Sequence, residues 1–173
     1  MRELTPATEL PQQETSEKEP QEIERKFLIK NDEWRNLAKG KVYRQGYLST
    51  IKERVVRVRI IDDKGFLTIK GVTAGATRLE YEYEISVKDA TEMLDELCKR
   101  PLIEKTRYVI YFAGMKWEID EFAGENKGLT VAEIELTDES QQFEIPDWIG
   151  EEVTGNPKYF NSNLIKKPFT KRC

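Results

Sequence analysis

The sequence predicts an α+β domain built on a closed, eight-stranded antiparallel β-barrel, with a charged interior and short helices packed outside. Two observations carry this expectation. Eight extended segments can be counted, at about 21–29, 41–49, 54–62, 65–71, 78–86, 103–112, 115–122 and 130–137. In most of them acids and bases recur at every second position while the alternate positions are apolar. A strand sends successive side chains to opposite faces, so each charged set occupies one face of its strand.

The segments justify themselves in chain order. EIERKFLI places Glu22, Glu24 and Lys26 on one face, with Ile23, Phe27 and Ile29 on the other. Asn31 or Asp32 then caps a short helix carrying Trp34 and Leu37 and stopped near Gly40. YRQGYLS puts Tyr43, Gln45 and Tyr47 on one face. VVRVRI offers Arg57 and Arg59 against Val56, Val58 and Ile60, and FLTIK ends in Lys70 behind Leu67 and Ile69. Between these two, Asp62-Asp63-Lys64-Gly65 reads as a hairpin turn, and Ala113-Gly114 reads as another. LEYEYEI carries Glu80, Glu82 and Glu84. From Lys88 to Lys99 the apolar residues fall at helical spacing, stopped before Pro101. EKTRYVI brings Lys105 and Arg107, KWEID brings Glu118 and Asp120, and AEIEL brings Glu133 and Glu135. Thr137-Asp138-Glu139 starts a further predicted helix ending before Pro146, and a last one begins near Pro157 with Tyr159, Phe160 and Leu164. Trp34, Trp117 and Trp148 read most simply as core.

Nine carboxylates and six bases thus alternate with apolar residues. If the charged faces met solvent, the apolar faces would need a second sheet, giving a sandwich. If the sheet closes with the charged faces inward, helices cover the apolar outside and the edges disappear. Acids and bases mixed on nearly every strand fit closure better, and eight strands enclose a ligand-sized interior.

Composition narrows the function. The 173 residues suffice for one domain with a real core. A net charge of −4, from 28 bases and 32 acids, gives no basic field for nucleic acid. No apolar run approaches the ~20 residues that span a bilayer, and the N-terminus lacks the order of a secretory signal. With only Cys98 and Cys173, a disulfide framework is not expected and a reducing cytoplasm is. The chain contains no histidine, which removes Ser-His and Cys-His nucleophile systems and the commonest zinc ligand. What remains is carboxylates, amines, guanidiniums, phenols and hard divalent cations.

The ordered set ExExK (Glu22, Glu24, Lys26), VRVRI, TIKG, RLEYEYEI, EKTRY, WEIDEF, AEIEL and EEVTGNPKYFNSNL closely resembles the CYTH superfamily, also called triphosphate tunnel metalloenzymes. The resemblance covers residues 21–169, leaving 1–20 as a Glu-, Gln- and Pro-rich tail predicted to be disordered and 170–173 as a C-terminal tail. It implies an antiparallel tunnel binding triphosphate with divalent metal, magnesium or manganese. Lys26, Arg57, Arg59, Lys70, Lys105 and Arg107 are then the phosphate ligands, since arginine bridges phosphate oxygens with a fixed fork and lysine supplies a point charge. Arg78, at a strand start, is an open candidate. Lys158 or Asn161 on the C-terminal helix is expected to reach in at one end. Nine inward acids would repel a polyphosphate, and burying them unpaired is costly. By resemblance Glu22, Glu24, Glu133 and Glu135 hold the metal. Glu80, Glu82 and Asp120 are candidates for a second metal or for orienting water, and Glu84 and Glu118 for salt bridges. Tyr47 could place a phenol among the phosphates, and Lys26 beside the terminal phosphate could stabilise charge developing there.

The expected reaction is hydrolysis of a triphosphate, with inorganic tripolyphosphate preferred because no aromatic shelf for a base or thiazole is evident. The family also includes adenylate cyclases and thiamine triphosphatases, and a polyphosphate-binding module without catalysis is the rival of another class. No nucleic-acid or membrane partner is expected, and a homodimer is compatible with the sequence. Residues 1–20 contain no motif residue and little apolar content. Deleting them is expected to leave turnover and melting temperature nearly unchanged; a large loss of either would show that the tail completes the domain.

Overall fold

The structure, a computed structural model, describes residues 23–74 and 77–172. Nine strands form one sheet: β1 (Ile23–Ile29), β2 (Gly40–Ile51), β3 (Arg54–Ile61), β4 (Lys64–Ala74), β5 (Thr77–Ile85), β6 (Ile103–Phe112), β7 (Met115–Phe122), β8 (Thr130–Leu136) and β9 (Ile149–Glu152). Helix α1 (Val87–Glu92) continues into a π-helical turn, Met93–Leu97, and α2 (Asn161–Leu164) follows a 3₁₀ turn at Pro157–Tyr159. All pairings recorded are antiparallel, in the order β5-β4-β3-β2-β6-β7-β8-β1-β9. The predicted tail, Glu22 and Cys173 lie outside the described residues, as does the side chain of Arg78.

The eight-strand, closed arrangement is corrected in two respects. The sheet has a ninth strand, and its order ends at β5 and β9 rather than joining them. The reason is local. Closure through β1 would need its second edge, but β9 already occupies that edge through Phe27↔Glu152 and Ile29↔Ile149. The four residues of β9, Ile-Gly-Glu-Glu, carry no period-two pattern that would announce a strand.

Turn chemistry behaves as expected. Asp62 takes φ 52° in the two-residue turn between β3 and β4, and Ala113-Gly114 takes φ 47° and 78° between β6 and β7. Asp62 and the Ala113-Gly114 pair occupy the left-handed region that tight hairpins favour. Register shifts between Tyr47 and Ser49 and between Lys70 and Thr73 mark bulges, which bend strands and increase sheet twist.

Apolar outer faces are covered from two directions. Phe27, Ile119, Ile134 and Trp117 pack against Trp34, Phe143 and Trp148, with the Trp117 ring 5.6 Å from both Phe27 and Trp148. Val58 and its neighbours pack under Ala90, Leu94 and Cys98. The α1 segment sits very close: a Cβ on Gly46 would stand 2.8 Å from Cys98 Cβ, so that position has to be glycine. Ser86 caps α1, its hydroxyl accepting from the Asp89 amide at 3.0 Å. The helix at Glu33–Asn36 is only a 3₁₀ turn, entered through the Asn31 side chain, which accepts from the Glu33 amide. The helix expected after Thr137 does not form. Gln141 Oε1 accepts from both the amide and the hydroxyl of Thr137, and Asp138 accepts from Ser140. Such local bonds compete with helix, and the extended course lets Phe143 reach the tryptophan core. No helix among the described residues is long and apolar enough to cross a membrane.

Candidate functional site

The charged face of the sheet lines a cavity of about 1110 Å³ that runs from Glu24 and Lys26 of β1 to Glu80 and Glu82 of β5. Strand register explains the convergence. Lys26 lies opposite Glu133, Glu24 opposite Glu135, Arg107 opposite Asp120, Arg57 opposite Thr68 and Lys70 opposite Glu80. Residues directly opposite share a face, so one parity rule carries the charge from strand to strand.

The cations form two banks. On β1, β6, β7 and β8, Lys26 meets Glu133 at 2.8 Å and Glu24 at 3.4 Å. Arg107 binds Asp120 through Nε at 2.6 Å and Nη2 at 2.7 Å, reaches Glu133 at 3.0 Å and also binds Glu118. Lys105, 3% exposed, pairs with Asp120, 0% exposed. On β3, β4 and β5, Glu82 Oε2 accepts from Arg57 at 3.5 Å, Arg59 at 3.1 Å and the Thr68 hydroxyl at 2.8 Å. Lys70 meets Glu80 at 2.7 Å. Between the banks, β2 contributes Tyr43, Gln45 and Tyr47. The Tyr43 ring lies 5.7 Å from the Arg59 guanidinium, 5.7 Å from the Lys105 amine and 5.4 Å from the Arg107 guanidinium. A ring face surrounded by cations holds them against one another's repulsion.

Burial and pairing compete at every group. Burial pushes the Lys26 amine down, but Glu133 and Glu24 outweigh it and raise it above its ordinary value. Burial pushes the Asp120 carboxyl up, yet Lys105 and Arg107 hold it at about 2, below its ordinary 3.8. Lys105 is lowered by burial, which Asp120 opposes and Arg107 reinforces. The two directions fit together: one acid between two cations stays ionised, while the amine shares that acid with a guanidinium. Burial, then Arg57, lowers Arg59.

Several sequence-predicted residues are placed differently from their expected roles. Asp120 was expected beside a metal, but both its oxygens are taken by Arg107 and Lys105. Lys158 does not line the cavity; its side chain is exposed, whereas Phe160, Asn161 and Ser162 do line it. From the C-terminal segment Leu164 and Ile165 pack with Tyr47, Ile103, Phe122 and Val131. Tyr47 therefore both lines the cavity and belongs to this apolar cluster. Glu84 pairs with Lys64 at 3.5 Å, and Glu118 with Lys116 at 3.0 Å as well as with Arg107, as their salt-bridge reading requires. Thr68 and Gln45, both buried in this charged face, were not singled out. Their strand parity was the available signal.

Carboxylate oxygens are the right donors for magnesium or manganese. Among the described residues no three acids converge tightly enough to cage an ion. Glu24 nevertheless stands directly opposite Glu135, and Glu118 opposite Glu133. Like charges across adjacent strands repel, and an ion held by one or two carboxylates plus substrate phosphates is how magnesium is usually bound. The donor set fits such an ion.

The family model described as CYTH domain matches residues 20–168. This chain belongs to the CYTH family. An inorganic triphosphatase of Acetivibrio thermocellus is 57% identical to this CYTH chain over 148 residues, covering 86% of it and 95% of the relative. An inorganic triphosphatase of Nitrosomonas europaea is 37% identical over 151 residues, covering 83% and 95%. A crystal structure of an inorganic triphosphatase superposes with a TM-score of 0.64 at 35% identity, covering 83% of this chain and 93% of that one.

In this CYTH domain Asp120 anchors two phosphate-ligand candidates, so Asp120→Asn is expected to lower folding free energy at pH 7 by about 3–5 kcal/mol, the usual cost of breaking a buried pair. Because the carboxyl is depressed, its contribution is complete above its ordinary value of 3.8 and is lost as pH falls towards about 2. Urea unfolding of both proteins across this range checks it: the gap should narrow on acidification. A gap independent of pH would contradict the role of the ionised carboxylate.

Proposed function

We propose that this chain is a metal-dependent triphosphatase that hydrolyses inorganic tripolyphosphate, bound along the trough, to orthophosphate and pyrophosphate. The observation that carries the proposal is the convergence of six cations from four strands, Lys26, Arg57, Arg59, Lys70, Lys105 and Arg107, on one cavity, interleaved with acids of the same sheet face. Relatives named inorganic triphosphatase over most of the chain support it.

Phosphoryl transfer is catalysed mainly by positioning and charge neutralisation, and a chain without histidine can supply both. Arg57, Arg59 and Lys70 on one bank, and Lys105 and Arg107 on the other, grip the triphosphate oxygens. Lys26, set between Glu24 and Glu133, is assigned to the terminal phosphoryl group, where charge shifts as the reaction proceeds. Water adds to the terminal phosphorus, the bond to the bridging oxygen breaks with its electron pair leaving on pyrophosphate, and one proton is released at neutral pH. A magnesium or manganese ion would be held by one or two of Glu24, Glu133 and Glu135 together with the substrate, and would supply positive charge against phosphate oxygens. Glu82 orients the arginine pair and Glu80 orients Lys70. The buried, free Cys98 suits a reducing cytoplasm.

Phosphate release from tripolyphosphate, ATP, thiamine triphosphate and pyrophosphate, with magnesium and with manganese, tests the assignment. Tripolyphosphate is expected to be the best substrate. Glu135→Gln is expected to abolish turnover, a loss of at least about a hundredfold if its carboxylate acts on transition-state charge, while circular dichroism stays native. Cyclic AMP and pyrophosphate from ATP would make the protein a cyclase instead. Binding of tripolyphosphate with no turnover under either metal would make it a binding module.

A further inference from the structure

The cations of the trough are all paired, yet its floor contains a donor that is not. Gln45 is 1% exposed, lines the cavity, and its side-chain nitrogen has no hydrogen-bond partner. Among the described residues five buried side-chain nitrogens lack a partner, and the three that do not belong to tryptophan are Gln45 Nε2, Arg57 Nε and Arg59 Nε. All three residues line the same cavity. Gln45 stands directly opposite Arg59 on β3 and, on its other side, opposite Ile103 of β6. It therefore occupies the middle of β2, the strand between the two cationic banks.

A buried amide donor without an acceptor costs roughly 1–3 kcal/mol. Natural interiors rarely retain one unless a water, an ion or a ligand answers it. An apolar side chain of the same shape would avoid that cost, and an acid there would repel a polyanion. A seventh cation would crowd Arg59, which its own burial and Arg57 already depress. A neutral donor adds a hydrogen bond to an anion without adding charge.

We propose that Gln45 is a substrate-binding residue of the trough, its side-chain amide donating to a phosphate oxygen of the bound triphosphate. The proposal rests on the triphosphatase reading and deepens it. A chain long enough to touch both banks crosses β2, whereas a single phosphate can be held within one bank. Gln45 thus favours a triphosphate over orthophosphate.

Gln45→Met keeps the length and removes the donor. Calorimetric titration with tripolyphosphate and with orthophosphate, without divalent metal, and urea unfolding of the free proteins form the test. The variant is expected to be at least as stable as the parent, because it loses an unanswered polar group. Its affinity for tripolyphosphate should fall by on the order of tenfold, the value of one hydrogen bond to a charged group, with little change for orthophosphate. Gln45→Glu should weaken tripolyphosphate binding further by repulsion. If Gln45→Met bound tripolyphosphate like the parent, or if it lost stability and bound both anions equally less well, the inference would be overturned and Gln45 would be structural. If the parent itself failed to bind tripolyphosphate both without metal and with magnesium, the functional reading would fall and take this inference with it.

Discussion

The bank of the trough on β1, β6, β7 and β8 depends on how Asp120 is buried. Its carboxylate has no exposure and holds both Lys105 and Arg107, so two cations on one strand are fixed by one acid on the next. Removing charges from water costs several kcal/mol each, and only close pairing offsets that. This arrangement meets the condition and leaves one positive charge in excess at the pair. Glu118 and Glu133 then share Arg107, and Lys26 shares Glu133, which carries the network from β6 to β1. Preorganised charge of this kind needs little rearrangement when an anion arrives.

The acids also explain why a trough full of cations folds at all. Six bases facing one cavity would repel without them, and Tyr43 alone could not compensate. In the free protein Glu82, Glu80 and Glu133 act as internal counterions. A triphosphate presents the same kind of oxygens, so under the proposed function its binding would exchange one set of anionic partners for another. Glu24 stands opposite Glu135 and Glu118 opposite Glu133, like charges on adjacent strands that a divalent cation would relieve under the proposed function.

Much of the site was legible in the sequence because a strand's two-residue period leaves no freedom about which side chains share a face. Lys26, Arg57, Arg59, Lys70, Lys105 and Arg107 converge for that reason. Depth was not legible. Nothing in KWEID tells that Asp120 is sealed beneath Lys105 and Arg107 while Glu118 keeps a second partner at the surface. Nor does parity extend to irregular segments, and Lys158, within a 3₁₀ turn, is exposed and does not line the cavity that Asn161 lines. The open edge was not legible because β9 is four residues without alternation and takes the edge of β1. The helix expected after Thr137 gave way to side-chain bonds that start a turn equally well. Gln45 and Thr68 were passed over because they are neutral, although they share the charged face.

The exchange of anions is tested most directly by determining the structure with a slowly hydrolysed triphosphate analogue and magnesium. The account predicts an extended anion crossing β2, touching Arg57 or Arg59 on one side and Lys105 or Arg107 on the other, with Glu82 released from at least one arginine. A phosphate chain confined to the outer surface, with the Glu82 and Glu133 ion pairs intact, would contradict it.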